Sequence, residues 1–306
     1  MVSRIEKNKS KRKEINRQEQ KEKRIKIINS FTKVFIVLVI IISISYIILR
    51  YIGNYGLVVK EESLVFENLP DNFHGLKIVH FSDLHYGTVV DTKKLKEITN
   101  KINEIKPDIV VFTGDLIDRH YSPSKKEKED IANLLTGIKA KLGKYATEGN
   151  HDKKDFSSIL KDTDFIILEN DYDLIYNEGF NPILITGIGS STLNNVDIDQ
   201  AFNYFKEENA NQEIFTISLM HEPDNIDSIL ENYKIDLSLA GHSHNGQVRI
   251  PFTKALVKVE GAKKYYEAKY TINNTTLFIS GGIGTSNYPF RLFNHPSINF
   301  IRLRSK

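Results

Sequence analysis

Residues 76–87 read LKIVHFSDLHYG. The mostly apolar run LKIVHF (76–81) predicts a strand, and it leads straight into a polar turn that carries Asp83 and His85 two positions apart. Downstream, DTKKLKEITNKINEIK (91–106) places Leu95, Ile98, Ile102 and Ile105 at helical spacing, with Asp91 positioned as an N-cap. PDIVVFTG (107–114) predicts a second strand, and SKKEKEDIANLLTGIKAKLG (124–143) a helix ending near Gly143. The later sequence is richer in strands: DFIILE (164–169), PILITGIG (182–189), EIFTISLMH (213–221), IDLSLAGH (235–242), TLFISGG (276–282) and INFIRL (298–303), with a helix at DIDQAFNYFKEE (197–208). This order predicts an α/β body of mixed sheets covered by helices. No repeat or Pro-rich linker divides it, so residues 57–306 read as one domain.

The head of the chain is different. Residues 1–33 hold twelve Lys/Arg against four Glu, a net +8, whereas the remainder holds 30 Lys/Arg against 35 Asp/Glu, a net −5. The pI of 8.7 therefore describes the head alone. An acidic body lacks the cationic track that duplex nucleic acid requires, so no nucleic-acid partner is expected. Residues 1–30 read as a basic, solvated, largely disordered cytoplasmic arm. VFIVLVIIISISYIIL (34–49) then runs without a charge. A bilayer core needs about 17–20 apolar residues. Lys33 and Arg50 can snorkel, and uncharged residues continue after Arg50, so 31–52 reads as a transmembrane signal anchor. The long basic leader and the lack of a small-x-small site predict that it is not cleaved. The Lys/Arg excess predicts a single pass through the cell membrane, N-terminus cytoplasmic and the body, residues 57–306, outside. Cysteine is absent, so a metal here would need nitrogen and oxygen ligands.

Such ligands gather at the predicted strand ends. Asp83 and His85 follow the first strand and Asp115 follows the second. YATEGNHD supplies Asn150 and His151, SLMHEP supplies His221, and AGHSH supplies His242 and His244. Ligands of open α/β sheets collect outside the carboxyl ends of the strands. Carboxylate, amide carbonyl and imidazole suit manganese, iron or zinc. So many donors are too many for one tetrahedral ion but suit two ions that share a carboxylate.

The ordered set D-x-H, G-D, G-N-H-D, H and G-H-x-H, spread over about residues 74–300, resembles the calcineurin-like metallophosphoesterases. The resemblance implies a four-layer α/β/β/α sandwich. It implies a first metal held by Asp83, His85 and His244, a second held by Asn150, His221 and His242, and Asp115 bridging them. His151 would face the phosphate instead, assisting the leaving group after a metal-bridging hydroxide attacks phosphorus, with Asp115 and Asn150 also in the catalytic set. Within the family the chain is similar to membrane-anchored bacterial phosphodiesterases, some of which resemble hydrolases of UDP-diacylglucosamine. ISGGIGTSNYPFRLFNHP (279–296) is similar to their closing segment, although Ser297 stands where an acidic residue is common. The implied substrate is a phosphate ester or pyrophosphate, either a small molecule or a lipid-linked species. The alternatives are an inactive membrane-tethered scaffold of the same fold and a nuclease.

The other polar residues carry plainer expectations. His80 points inward as a core histidine bonded to backbone, or as support for the site. His74 reads as a surface residue. Arg119 and His120 fall in a loop that borders the site. Asp118 and Asp152 read as supporting or capping residues rather than ligands. Arg291 reads as a phosphate clamp or a solvated surface arginine.

Overall fold

The structure, a computed structural model, describes residues 4–152, 154–207 and 213–306. It separates into two compact units, Met1–Ile48 and Leu49–Lys306. The first is a single exposed helix, α1 (Arg4–Ile47). A helix through the basic arm corrects the expected disorder. Residues 4–47 contain neither Gly nor Pro, and Lys, Arg, Glu and Gln are good helix formers. The helix is long and apolar enough to cross a membrane by length and composition. A π-helical turn, Ile48–Ile52, follows it.

The second unit contains two six-stranded mixed sheets. The first uses β1 (Val58–Phe66), β2 (Lys77–Phe81), β3 (Ile109–Phe112), β4 (Gly143–Ala146), β5 (Phe165–Ile167) and β12 (Ser297–Ser305), in the order β1-β12-β2-β3-β4-β5. The second uses β6 (Asp171–Ile175), β7 (Ile183–Gly187), β8 (Thr216–Leu219), β9 (Leu237–Ala240), β10 (Lys269–Ile272) and β11 (Thr275–Ile279), in the order β10-β11-β9-β8-β7-β6. Ile78, Ile109, Val111, Ile217, Leu219, Leu237 and Leu239 pack face to face between them. Helices α2 (Thr92–Ile105), α3 (Lys125–Thr136) and α4 (Lys154–Leu160) cover the outer face of the first sheet, where Leu95, Ile98, Ile131 and Phe156 meet Val79, Phe81, Val110 and Phe112. Helices α5 (Ile198–Ala201), α6 (Tyr204–Glu207) and α7 (Ile226–Leu230) lie along the second, burying Phe202, Ile226 and Ile229 with Leu277 and Ile279. The result is the four-layer sandwich. Residue 208, the end of the helix expected over 197–208, lies outside the described residues.

Local chemistry fixes the element ends. Asp91 caps α2, accepting from Lys94 N at 2.8 Å. Ser124 and Glu127 form a capping box on α3. That helix stops at Thr136, not near Gly143, and Gly143–Ala146 is strand β4. The reason is Lys144, whose buried ammonium donates to the carbonyls of Leu135, Thr136 and Ile138 and so closes the helix from the strand behind it. Asn103 of α2 also binds the backbone at Gly137 and Lys139.

Register aligns the site. Phe81 pairs with Phe112, Phe112 with Ala146, and Ala146 with Ile167, so the parallel strands of the first sheet end level. In the second sheet Gly187 pairs with Leu219 and Leu219 with Leu239. The loops that follow leave from one edge of the sandwich.

Candidate metal centre

Every sequence-predicted ligand lies in a loop leaving that edge, and loops from both sheets interlock. His85 N donates to Asp115 O at 3.0 Å within the first sheet's set. Across the seam, His242 N donates to the Asp83 carboxylate at 3.1 Å, and His221 Nδ1 donates to Thr113 O at 2.6 Å. The packing is close: a Cβ on Gly149 would stand 2.4 Å from Asp115 Oδ1. Asp83, His85, Asp115, His242 and His244 all have φ between 41° and 67°. Left-handed backbone costs non-glycine residues about 1–3 kcal/mol each and persists only where surrounding contacts enforce it. It aims these side chains inward instead of along the strand.

Among the described residues three donor groups result: Asp83–His85–His244, His85–Asp115–His151 and Asp115–His221–His242. Asp115 Oδ2 is 3.4 Å from His85 Nε2 and 3.4 Å from His221 Nε2. Its Oδ1 accepts from His151 N at 2.7 Å. His244 Nε2 lies 3.3 Å from Asp83 Oδ1 and 3.1 Å from His85 Nε2. The latter separation, about 3 Å, suits two nitrogens each about 2.1 Å from one ion. Asn150 Oδ1 lies 3.1 Å from His221 Nε2. His242 Nε2 donates to Glu260 O at 2.6 Å, which leaves Nδ1 as its free lone pair.

The electrostatics suit a cation. Burial holds the His85 pKa down to about 3, so its imidazole is neutral with a lone pair to offer. Burial also opposes charge on Asp83 and Asp115, but the surrounding histidines outweigh it and keep both carboxyls ionised. On His221 burial is outweighed by Asp115, and its pKa is raised. A carboxylate pair that holds a proton on a buried imidazole is a site a divalent cation can discharge. His85 Nδ1 is buried without a hydrogen bond, with Asp118 Oδ2 3.6 Å away.

Supporting residues surround these donors. Asp118 Oδ2 is also 3.7 Å from His151 Nδ1, so one carboxylate faces both rings. Asp152 accepts from the backbone of Asp115, Leu116 and Gly149, fixing the β3 and β4 loops together. His80 is buried as expected, but its partners are side chains, Thr113 Oγ1 at 2.9 Å and Asn299 Nδ2 at 3.2 Å, rather than backbone. His74 is exposed beside Ser305. Arg291 matches neither reading. It is 0 % exposed and donates to the carbonyls of Gly281, Gly284 and Asn294, with Nη2 3.4 Å from His244 Nδ1. It braces the closing segment behind His244 and is not among the residues that line the cavity. Glu222 was missed. It is buried next to His221 and accepts from Ser190 Oγ and from the backbone of Ser191 and Thr192, and its only sequence signal was adjacency to a ligand.

A cavity of about 790 Å³ opens over the centre. Asp115, Asn150, His151, His242 and His244 form its floor, and Arg119 and His120 one flank. Arg119 Nε donates to His151 Nε2 at 3.0 Å, and Arg119 N approaches His151 Nδ1 at 3.4 Å. The lining from the later loops is mainly apolar, with Val248, Leu256, Val257, Tyr288 and Phe290, interspersed with Gln247, Ser286 and Asn287.

Comparison with known proteins agrees with this geometry. The family model described as calcineurin-like phosphoesterase matches residues 76–246. The metallophosphoesterase YkuE of Bacillus subtilis is 29% identical, covering 84% of this chain and 88% of that one. A transmembrane protein with a metallophosphoesterase domain from Danio rerio is 26% identical over 85% of this chain and 62% of its own length. The UDP-2,3-diacylglucosamine pyrophosphatase LpxG of Chlamydia trachomatis is 28% identical over 61% of this chain and 70% of that one. The chain belongs to the calcineurin-like phosphoesterases, hydrolases of phosphate esters.

Proposed function

We propose that this phosphoesterase is a membrane-anchored, two-metal phosphodiesterase or pyrophosphatase acting on an envelope or lipid-linked substrate. The observation that carries the two-metal reading is the placement of Asp115 Oδ2, equally far from a histidine of each donor set. Asp83, His85 and His244 would hold one divalent cation, Asn150, His221 and His242 the other, with Asp115 shared and manganese, iron or zinc as the ions. Bound there, the pair would lower the pKa of water and draw charge from phosphate oxygens.

The chain's own groups do the rest. The bond from His221 to Thr113 O keeps its Nε2 facing inward. Arg119 offers its charge to the substrate phosphate, and in turning to it releases His151 Nε2. The freed His151 Nε2 then takes up a proton from solvent and gives it to the leaving oxygen, with Asp118 behind Nδ1 to support the imidazolium. The apolar wall and the similarity to LpxG support a lipid-linked ester or pyrophosphate. The domains follow: residues 1–30 as a cytoplasmic arm, 31–52 as the anchor, and 57–306 as an extracytoplasmic catalytic domain. The complete donor set favours a working enzyme over a tethered scaffold.

The test is a panel of monoesters, diesters and nucleotide-sugar pyrophosphates, assayed with added Mn²⁺. Hydrolysis of diesters or pyrophosphates that stops on chelation and returns with metal is expected. Hydrolysis that survives exhaustive chelation would refute the reading.

A further inference from the structure

We propose that the loop side of the cavity is a membrane-docking face, with Ile250, Phe252, Leu256, Val257, Tyr288 and Phe293 seated in the interface of a phospholipid bilayer. The site would then open directly onto lipid. This rests on reading the N-terminal helix as a membrane span.

Three observations support it. All six side chains are exposed, and they come from two adjoining loops. Those loops form one rim, because Arg249 N donates to Leu292 O at 2.9 Å and Gln247 Nε2 donates to Tyr288 O at 3.0 Å. Leu256, Val257 and Tyr288 line the cavity over the site, and Ile250, Phe252 and Phe293 line a second pocket on the same joined segments; exposed apolar side chains gathered in this way mark an interaction surface.

Second, charge selects the occupant. Leu256 and Val257 sit between Lys254 and Lys258 in KALVK, both lysines exposed, on a body whose overall charge is negative. Basic residues flanking apolar ones suit an anionic lipid surface, where the apolar groups enter the acyl boundary and the lysines reach headgroups.

Third, the rim is tied to the turn at which the chain leaves the apolar helix. Arg291 N donates to Leu49 O at 3.0 Å, and Asn54 Nδ2 donates to Pro289 O at 3.0 Å. Gly53 packs so tightly there that a Cβ would stand 1.8 Å from Arg291 O. The membrane-exit turn and the closing segment that carries Tyr288 and Phe293 are thus one hydrogen-bonded structure.

The chain contains no tryptophan, so a single one reports its own surroundings. The full chain would be reconstituted in phosphatidylcholine–phosphatidylglycerol vesicles with brominated acyl chains, as four variants: Val37→Trp in the helix, Phe252→Trp and Val257→Trp on the rim, and Phe180→Trp. Phe180 is exposed in the loop entering β7, at the far end of the sheets from the site. Loss of most emission is expected for the first three, with Phe180→Trp staying bright. If Val37→Trp is quenched while both rim variants stay as bright as Phe180→Trp, the docking face is overturned and the anchor stands. If Val37→Trp itself stays bright, the anchor reading falls and the docking face with it. A rim emission that changes with protein density but not with bromination would assign the face to a second copy, which also overturns the proposal.

Discussion

The two sides of the cavity are built on opposite terms. On the strand-end side, Asp83, His85, Asp115, His221 and His244 are buried, hydrogen-bonded or ion-paired, and mostly held in left-handed backbone. On the loop side, Leu256, Val257 and Tyr288 are exposed and apolar, on irregular segments. The difference teaches where order comes from. Inverting a residue's ordinary backbone preference needs neighbours that over-determine it, and level strand ends in two sheets supply them. The loop side also carries left-handed residues, Phe252 and Phe293 among them, on segments joined by hydrogen bonds, but its apolar side chains stay exposed.

Breaking the buried side should cost most. Asp115→Asn removes the shared charge, so metal content should fall for both ions and hydrolysis should drop below detection. Elemental analysis showing two full equivalents in that variant would contradict the sharing. His151→Ala should keep its metal but lose about 10²–10⁴-fold in turnover. The loss should be larger for an alkyl than for a nitrophenyl leaving group, and equal losses would argue against leaving-group assistance. Asp118→Asn leaves the shape but removes the charge facing His85 and His151. A loss of about 10–100-fold in activity or metal affinity is expected, read by turnover against metal titration.

The smallest effect sharpens the comparison from the core. Burial holds His80 at a pKa of about 3 against 6.5 when unfolded. Because the unfolded chain takes up a proton that the folded chain refuses, stability falls as pH drops below 6.5, by up to about 1.4 kcal/mol per unit. His80→Gln should flatten that acid loss in thermal melts between pH 6.5 and 4 while changing little at pH 8. An unchanged acid slope would show that His80 is not buried as a neutral ring.

Much of the candidate site was legible in the sequence, because the expected ligands other than Asn150 follow an apolar run that ends in a polar turn. LKIVHF before Asp83 and LSLA before His242 carry that signal with no need of tertiary context. What stayed hidden depends on distant partners. Nothing local to Arg291 says that three backbone carbonyls will bury it, and nothing in KLGKYA says that Lys144 will cap a helix. Edge strands β1, β6 and β10 were also missed, since exposed polar residues alternate through them and mask the apolar signal. The basic arm was misread because its charge speaks of solvation, whereas its helix formers decide the backbone.

The central claim is that two cations share Asp115. Anomalous diffraction from crystals loaded with manganese tests it most directly. Two peaks about 3.5–4 Å apart on either side of the Asp115 carboxylate are predicted. A single peak, or a second peak remote from that carboxylate and from His221, would contradict it.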